Sequence, residues 1–584
     1  MNRIAKNRDI LGRLIPGGPE SMTELAKPST IRLETELQTE PGAKAAARAG
    51  THPETGLSVT HETSRNGLST IRISRGEGNR YLHSRYDPVK EAARIAERME
   101  GFVVLLGFGC GYLAAAAARR STVAGVLALE PEEEVASVVL REARLDHLEN
   151  SPTKLRLLEL PSPKQLTEWV RSFYLPAVHD RITLHVAEGY EEVSDIEAYR
   201  DGFSRGVELA AGGYRTMARL GRQWSRNILL NASLLTGGGS RETAPLKIRG
   251  GSKSPSTEPP PVLILGAGPS LERWLRSGAP LSHPETVLIA ADTSEPILRR
   301  RGIEPDITVV IDAQAVGYHH ILSARAPTKT TQPSTTPIVA DLTAPSFLSR
   351  QSRPVRFFSG GHPLGKYLLP PEEGYPYPST EGGNVGYTLL SLGELISPGR
   401  SVEVGLDYSY QGGIAYAGGS YLETLFHAKS NRFRPAAGSW TALIYSDADF
   451  RRVGNAGDWS YTEPKLLRFR DDYAALRRRL EAPRQEGEQL TGAPYTAYRR
   501  KPKTMEPMLC AEGAVTFPGN RLRKLKEELH SPLREPMAPA WALEPAHTVL
   551  MPLAAWCKEH SGFSNYPPFE GARLLTLSFL EAIL

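Results

Sequence analysis

Apolar and polar positions alternate along residues 68–76, LSTIRISRG, with the period of two of a half-buried strand. The next segment, RYLHSRYDPVKEAARIAERME, changes period. Asp87 can cap a helix whose first turn carries Pro88, and Ala92, Ala93, Ile95 and Ala96 give that helix an apolar side. Residues 101–118, GFVVLLGFGCGYLAAAAA, carry no charge, and an uncharged run of about 18 residues reaches the lower limit for a membrane span. Four glycines interrupt it, however, and its β-rich first part precedes them while the alanines follow. The pattern predicts a strand, a tight turn and a buried helix. With VAGVLALE (123–130) as a second strand it makes a βαβ unit. Residues 164–174 and 215–235 have helical spacing.

From Val262 short apolar runs recur: VLIL (262–265), TVLIAA (286–291), ITVVID (307–312), TPIVAD (336–341) and VEVGLD (402–407). Helical stretches lie between several of them, which predicts a mostly parallel sheet covered on both faces. The expected fold class is α/β. It comprises an N-terminal mixed region (1–95), a Rossmann-like domain (96–235), a flexible linker (236–261), a central doubly wound domain (262–460) and a helical C-terminal region (461–584). The linker rests on composition, TGGGSRETAPLKIRGGSKSPSTEPPP. Residues 326–336 read as a Pro/Thr/Ser surface loop, and 464–482, 521–530 and 572–584 as helices.

Composition narrows the function classes. Length, 584 residues, suggests several domains, and 40% hydrophobic with 23% charged residues is ordinary for a globular protein. A net charge of +5 on this length gives no reason to expect a nucleic-acid partner, and basic runs such as 477–479 and 499–501 read as solvated helix faces or loops. Cys110, Cys510 and Cys557 lie far apart and form no CxxC pair, so neither a disulfide framework nor a cysteine-based zinc site is expected. With no signal-like start and no membrane span expected, the predicted location is cytoplasmic.

Two glycine turns follow strands. Gly107-Phe-Gly109-Cys-Gly111, with Glu130 ending the next strand, has the layout of a dinucleotide or S-adenosylmethionine site, and equally of a tight turn without ligand. Gly266-Ala267-Gly268-Pro269-Ser270 lacks the Lys-Ser/Thr of a Walker loop. It still has the physics of an anion cradle: glycines expose backbone amides, Ser270 can bond a phosphate oxygen, and a helix begins at Leu271. A capped strand–helix turn is the alternative. In a doubly wound sheet, Gly266–Ser270, Asp292 with Thr293, Asp312 with Gln314, and Asp407 with Tyr408 all fall at strand carboxyl ends and should share one rim. Gly382, Gly383 and Asn384 form a second glycine loop entering a helix. Tyr408, Tyr410, Tyr416 and Tyr421 can donate hydroxyls to a phosphate or sugar, or simply pack a long loop. His362 and His427 are candidate bases. His319-His320 lacks metal-ligand spacing, and Asp447-Ala-Asp449 reads as a helix cap before a cation site.

Together VLILGAGPSLERW, IAADTSEPILRRRGIEPDITVVIDAQ, GGNVGYTLL and VGLDYSYQGGIAYAGGSY resemble the motility-associated factor family of flagellin glycosyltransferases. YLHSRYDPVKEA, LLGFGCGYL and RQWSRNILLN support the match. The resemblance covers residues 60–460 and implies a central domain similar to CMP-dependent sialyltransferases and of the 6-hydroxymethylpterin diphosphokinase MptE-like type. It also implies transfer of a nonulosonic acid (sialic, pseudaminic or legionaminic type) from a CMP-sugar to Ser or Thr of flagellin. Gly266, Gly268, Pro269 and Ser270 would then lie by the phosphate, Asp292 and Asp312 near the nucleoside, and Gly382, Gly383 and Asn384 at the donor's border. Tyr408 and Tyr416 would steady the leaving phosphate, and His427, before His362, would act as base. Asn384, where a Ser is frequent, and the insertion after Arg325 depart from the family pattern. A single phosphate requires no metal and no cofactor. The rivals are a 6-hydroxymethyl-7,8-dihydropterin diphosphokinase, with ATP and magnesium held by Asp292 and Asp312, a non-catalytic flagellin-binding assembly factor, and methyl transfer at the first glycine turn.

Overall fold

The computed structural model describes residues 3–14, 50–51, 57–75, 78–190, 195–236, 243–248, 259–277, 285–323, 336–350, 353–411, 414–446, 449–453, 460–480, 520–563 and 565–584. It forms two compact units, residues 1–221 with 532–572, and residues 222–531 with 573–584. The boundary falls inside one helix, Ile196–Thr236, between Gly221 and Arg222.

In the first unit the expected βαβ is present. Gly101–Leu106 and Val123–Glu130 pair in parallel, joined through the helix Tyr112–Arg119. The sheet order is Leu155–Glu159, Val123–Glu130, Gly101–Leu106, Ile182–Val186, all parallel. The alternating segment is the strand Ser69–Arg75 of a separate antiparallel sheet, and Asp87 caps the helix Pro88–Ala96 by accepting from the Lys90 amide at 3.0 Å. Residues 1–95 do not keep a core of their own. Ile10, Ile71 and Ala96 share one hydrophobic cluster with Phe102, Leu127 and Val139. Trp541, from the far end of the chain, packs edge-on against Phe102 and Phe173.

The second unit is built on seven parallel strands. Their order is Ser401–Val404, Val262–Leu265, Val287–Ala291, Ile307–Val310, Ile338–Asp341, Val355–Phe358, Thr243–Pro245. Along Val262–Leu265 the period of two sends Val262 and Ile264 into one apolar cluster and Leu263 and Leu265 into another, so both faces are covered. At roughly 1.5–3 kcal/mol per buried aliphatic side chain, that double burial drives the sheet. The helix Val385–Ile396 covers the first face with Tyr473 and Leu476 of the helix Pro464–Leu480. The basic run 477–479 lies on that helix: Arg477 bonds the Ser401 carbonyl and pairs with Glu403, and Arg479 bonds the Tyr387 hydroxyl.

Two expectations need correction. The linker 236–261 is not unstructured throughout, because Thr243–Pro245 is an edge strand and Leu246 is buried. Three residues are too few to show a period, and Pro245 suits an edge because it has no amide to donate. Among the described residues of the C-terminal region, the helix Pro545–Glu559 with Pro552 inside it was not expected, and it lies in the first unit. Most of residues 326–336, Asp447, residues 499–501 and Cys510 lie outside the described residues; Cys110 and Cys557 are buried thiols. Among the described residues no helix is long and apolar enough to cross a membrane.

Candidate functional site

The chain leaves Val262–Leu265 towards Val287–Ala291 on one side and returns to Ser401–Val404 on the other. Strand order therefore reverses between these two strands, and their carboxyl ends flank the crevice where doubly wound sheets bind ligands. The turns there are Gly266–Ser270 and Gly405–Tyr408. They approach so closely that a Cβ on Gly266 would strike the Gly405 carbonyl, and one on Gly268 would strike the Asp407 carboxylate. Gly268 donates to the Gly405 carbonyl at 2.9 Å. The helix Pro269–Arg276 begins with Pro269 in its first turn and Gly268 as a cap without a side chain. Asp407 supplies the missing cap from across the crevice. Its Oδ2 accepts the Ser270 amide at 3.0 Å and the Ser270 hydroxyl at 2.9 Å, while Ser270 Oγ accepts the Gly405 amide at 3.0 Å. In this structure the anion at the helix N-terminus is a carboxylate of the protein.

Beside it, at the end of Val287–Ala291, Asp292 is buried. Its Oδ1 accepts the Thr293 amide at 2.9 Å, and its Oδ2 lies 2.9 Å from His320 Nδ1. A carboxylate has no proton to give, so Nδ1 carries the hydrogen and Nε2 is the basic nitrogen. His320 comes from the helix Ala315–Ser323. Gly317 of that helix is placed so that a Cβ there would stand 3.3 Å from Asp292 Oδ2. Tyr421 lies edge-on to His320 and stacks on His319. Asp312 turns its carboxylate to the Gln314 amide at 2.8 Å. Tyr416 is held protonated, first by burial and then by the Asp292 charge. The next residue, Ala417, donates to the Ala267 carbonyl at 2.8 Å, which brings the tyrosine loop back over the glycine turn.

The second glycine loop closes the other flank. Asn384 caps Val385–Ile396 by accepting the Tyr387 amide at 3.1 Å, and its Oδ1 lies 3.3 Å from the Tyr408 hydroxyl. Gly383 has a φ of 65°, and Gly382 lies under the Tyr387 ring. Tyr408 itself has a φ of 48°, an unusual conformation for a bulky residue. Its burial also pushes the phenol well above its ordinary range.

The two histidines singled out from sequence stand elsewhere. His427 is exposed on the helix Tyr421–Ala428. His362 is the cap of Pro363–Leu368: its Nδ1 accepts the Leu364 amide at 3.2 Å, so Nε2 carries the proton. Burial lowers its pKa to about 3. A ring with its basic nitrogen committed and a pKa that low is a poor proton acceptor. The site residue that sequence reasoning missed is His320. The sequence marks it only as half of a His-His pair, and the fold alone sets Asp292, 28 residues earlier, beside it. Asp341 was missed likewise: it is buried and accepts from Thr343 and from the Gly360 amide.

The first glycine turn is filled by the protein. Gly109 donates to Glu130 Oε2 at 3.0 Å, the Tyr190 hydroxyl donates to the same oxygen, and Cys110 donates to His83 Nε2 at 2.7 Å. The Tyr190 ring lies where a Cβ of Gly107 would be. These amides are spent on side chains of the same unit. Among the described residues no three His, Cys, Asp or Glu side chains gather as a metal site.

Residues 250–413 match the family model described as 6-hydroxymethylpterin diphosphokinase MptE-like. A protein of Treponema pallidum (strain Nichols), described as uncharacterized, is 27% identical over 117 residues, 20% of this chain and 41% of that protein. The match thus spans less than half of that relative. The solved structure of the MAf glycosyltransferase from Magnetospirillum magneticum AMB-1 is similar over 100% of this chain and 95% of its own, with a TM-score of 0.53 and 14% identity. At that identity the likeness is one of fold.

Proposed function

We propose, for a chain whose central domain is MptE-like and whose fold is that of a motility-associated-factor glycosyltransferase, that it transfers a nonulosonic acid from a CMP-sugar to Ser or Thr of flagellin in the cytoplasm. The observation that supports this best is the Asp292–His320 pair beside Tyr416 at the switch-point crevice. In this reading the bond from the anomeric carbon to the phosphate oxygen breaks and CMP leaves with the electron pair. The acceptor hydroxyl oxygen bonds that carbon and gives its proton to His320 Nε2. Asp292 orients the imidazole and steadies its positive charge. Tyr416, kept protonated by burial, donates to the leaving phosphate, stabilisation aimed at charge as it develops, and Tyr408 joins it only by turning its hydroxyl away from Asn384 Oδ1. His320 takes the role expected of His427 or His362. Gly266, Gly268 and Pro269 shape the crevice, and Ser270 reaches a phosphate only if Asp407 releases it. Thr293, Asp312, Gln314 and the 382–384 loop border the donor. One phosphate served by hydroxyls and amides needs no metal and no cofactor.

The family description favours a second reading, diphosphoryl transfer from ATP–magnesium to a pterin. It would need Asp292 and Asp312 to hold the metal; in this structure Asp292 faces Thr293 and His320 while Asp312 faces the Gln314 amide. Thermal shift with CMP, CDP and ATP–magnesium separates the two. Sugar transfer expects stabilisation by CMP without added metal, about 2.7 kcal/mol at a hundredfold excess over Kd. It also expects flagellin to gain the mass of one nonulosonate or more when incubated with the CMP-sugar. A shift with ATP–magnesium and none with CMP would overturn it.

A further inference from the structure

The segment that follows the tyrosine loop is folded but barely covered. Two helices, Tyr421–Ala428 and Ala436–Ile444, pack on each other through Phe426 and Trp440, whose rings meet edge-on at 4.8 Å. The first has no buried residue, and the second only Ile444. The second helix, AAGSWTALI, has no charged side chain. Leu443 and Tyr445 are exposed, and Phe433, between the helices, is 85% exposed. Singly exposed apolar residues are ordinary, but an uncharged helix joined to an exposed Phe is a patch of the kind that marks an interaction surface.

Charge selects the occupant. Lys429, Arg432 and Arg434 are exposed in the connection between the two helices, with Glu423 on the first helix. The Arg432 guanidinium stands over the Phe433 ring, 5.4 Å from its centre. A second copy of the chain meeting this face by twofold symmetry would set the same cations against themselves. The base of the segment is anchored at the proposed reaction centre, through Tyr421 on His319 and His320 and through Ala417 on Ala267.

We propose that residues 429–445 dock the polypeptide acceptor, and that the docked stretch is acidic with an apolar or aromatic anchor. This rests on the sugar-transfer reading and names the chemistry of its partner. Such a stretch would set its anchor against Phe433 and Leu443 and its carboxylates against the flanking arginines. Binding would therefore weaken with salt, as association between opposite charges does.

The test uses the full chain and a fluorescent random copolymer of glutamate and tyrosine, with the lysine–tyrosine copolymer as control. We expect saturable, salt-sensitive binding of the acidic copolymer only. Phe433→Ser with Leu443→Ser should weaken it about tenfold or more, the loss that follows from deleting a buried anchor. Arg432→Glu with Arg434→Glu should remove it. Circular dichroism and the CMP-induced thermal shift of each variant serve as controls for folding and for the donor site. Equal binding by the variants, or no preference for the acidic copolymer, would overturn the proposal. So would a concentration-dependent dimer that Phe433→Ser dissolves, which would give this face to a second copy. A missing CMP shift in the unmutated chain would instead overturn the sugar-transfer reading, whatever the copolymer does.

Discussion

Ser270 gives both its amide and its hydroxyl to one oxygen of Asp407, 137 residues further along the chain. One carboxylate thereby caps a helix and ties together the two strands that flank the crevice. Ser270→Ala removes the hydroxyl bond and leaves the Gly405 amide without its acceptor. The expected loss is about 1–3 kcal/mol, read as a lower urea midpoint for the second unit with an unchanged slope.

His320→Gln keeps an amide where the imidazole stood but cannot take a proton. If His320 is the base, kcat for transfer to flagellin falls about a hundredfold or more, while CMP still shifts the melting temperature. His427→Gln, on its exposed helix, should leave kcat within about twofold, the small effect expected away from the reacting atoms. Equal losses in the two variants would return the role to His427.

Acid should unfold the protein through its buried imidazoles. Burial lowers His83 and His362 to about 3 and His147 and His179 to about 4, from an ordinary 6.5. The unfolded chain therefore binds more protons than the native one below pH 6.5, and stability falls as pH drops from there towards 4. Glu130 works the other way. Burial raises it to about 7, so its contribution is fully present below its unfolded value near 4.5 and is lost as pH rises through 7. Urea unfolding at pH 5 and at pH 7 should show the imidazoles dominating, with a lower midpoint at pH 5. His83→Gln should narrow that difference.

Gly107 has a φ of 100°, and the Tyr190 ring occupies the space beside it. Gly107→Ala combines backbone strain with overpacking and should cost about 2–5 kcal/mol, seen as a lower melting temperature. With the turn's amides engaged by Glu130 and His83, S-adenosylmethionine and NAD should not shift the melting temperature of the unmutated chain. A saturable shift with either would show that the turn opens for a ligand.

Asn227 and Asn231 sit one helical turn apart and hold the loops that follow two central strands. Asn227 donates to Ala313 and Thr343, and Asn231 to Leu342 and Ala344, all through carbonyl oxygens. Asn231→Ala strands two buried carbonyls and should cost about 2–4 kcal/mol, measurable as a reduced urea midpoint.

The sheet was legible wherever a strand is an uninterrupted apolar run, as in VLIL and TVLIAA. Val355–Phe358 was not, because Arg356 breaks the pattern even though it is itself buried. The crevice was legible as a set of strand ends, since topology alone sends Gly266, Asp292 and Asp407 to one rim. What each polar group holds was not. A cap supplied by Asp407 from another element, or an imidazole oriented by Asp292 across 28 residues, leaves no periodic trace in the chain. His362 shows the reverse case: its place in a glycine-rich stretch suggested chemistry, and its nitrogen turned out to be a helix cap.

The strand Thr243–Pro245 enters the central sheet first in the chain yet pairs with Val355–Phe358, while residues 464–480 cover a face that begins at Val262. A fragment trimmed to residues 250–413 would lose its border strand and expose the apolar surface that Tyr473 and Leu476 protect. Such a fragment should aggregate when expressed alone. Attempts to isolate this domain for ligand work are better begun at Arg222 and carried to Ser531, because the helix Asn520–Glu528, with Leu522 and Leu525 buried, belongs to the same unit.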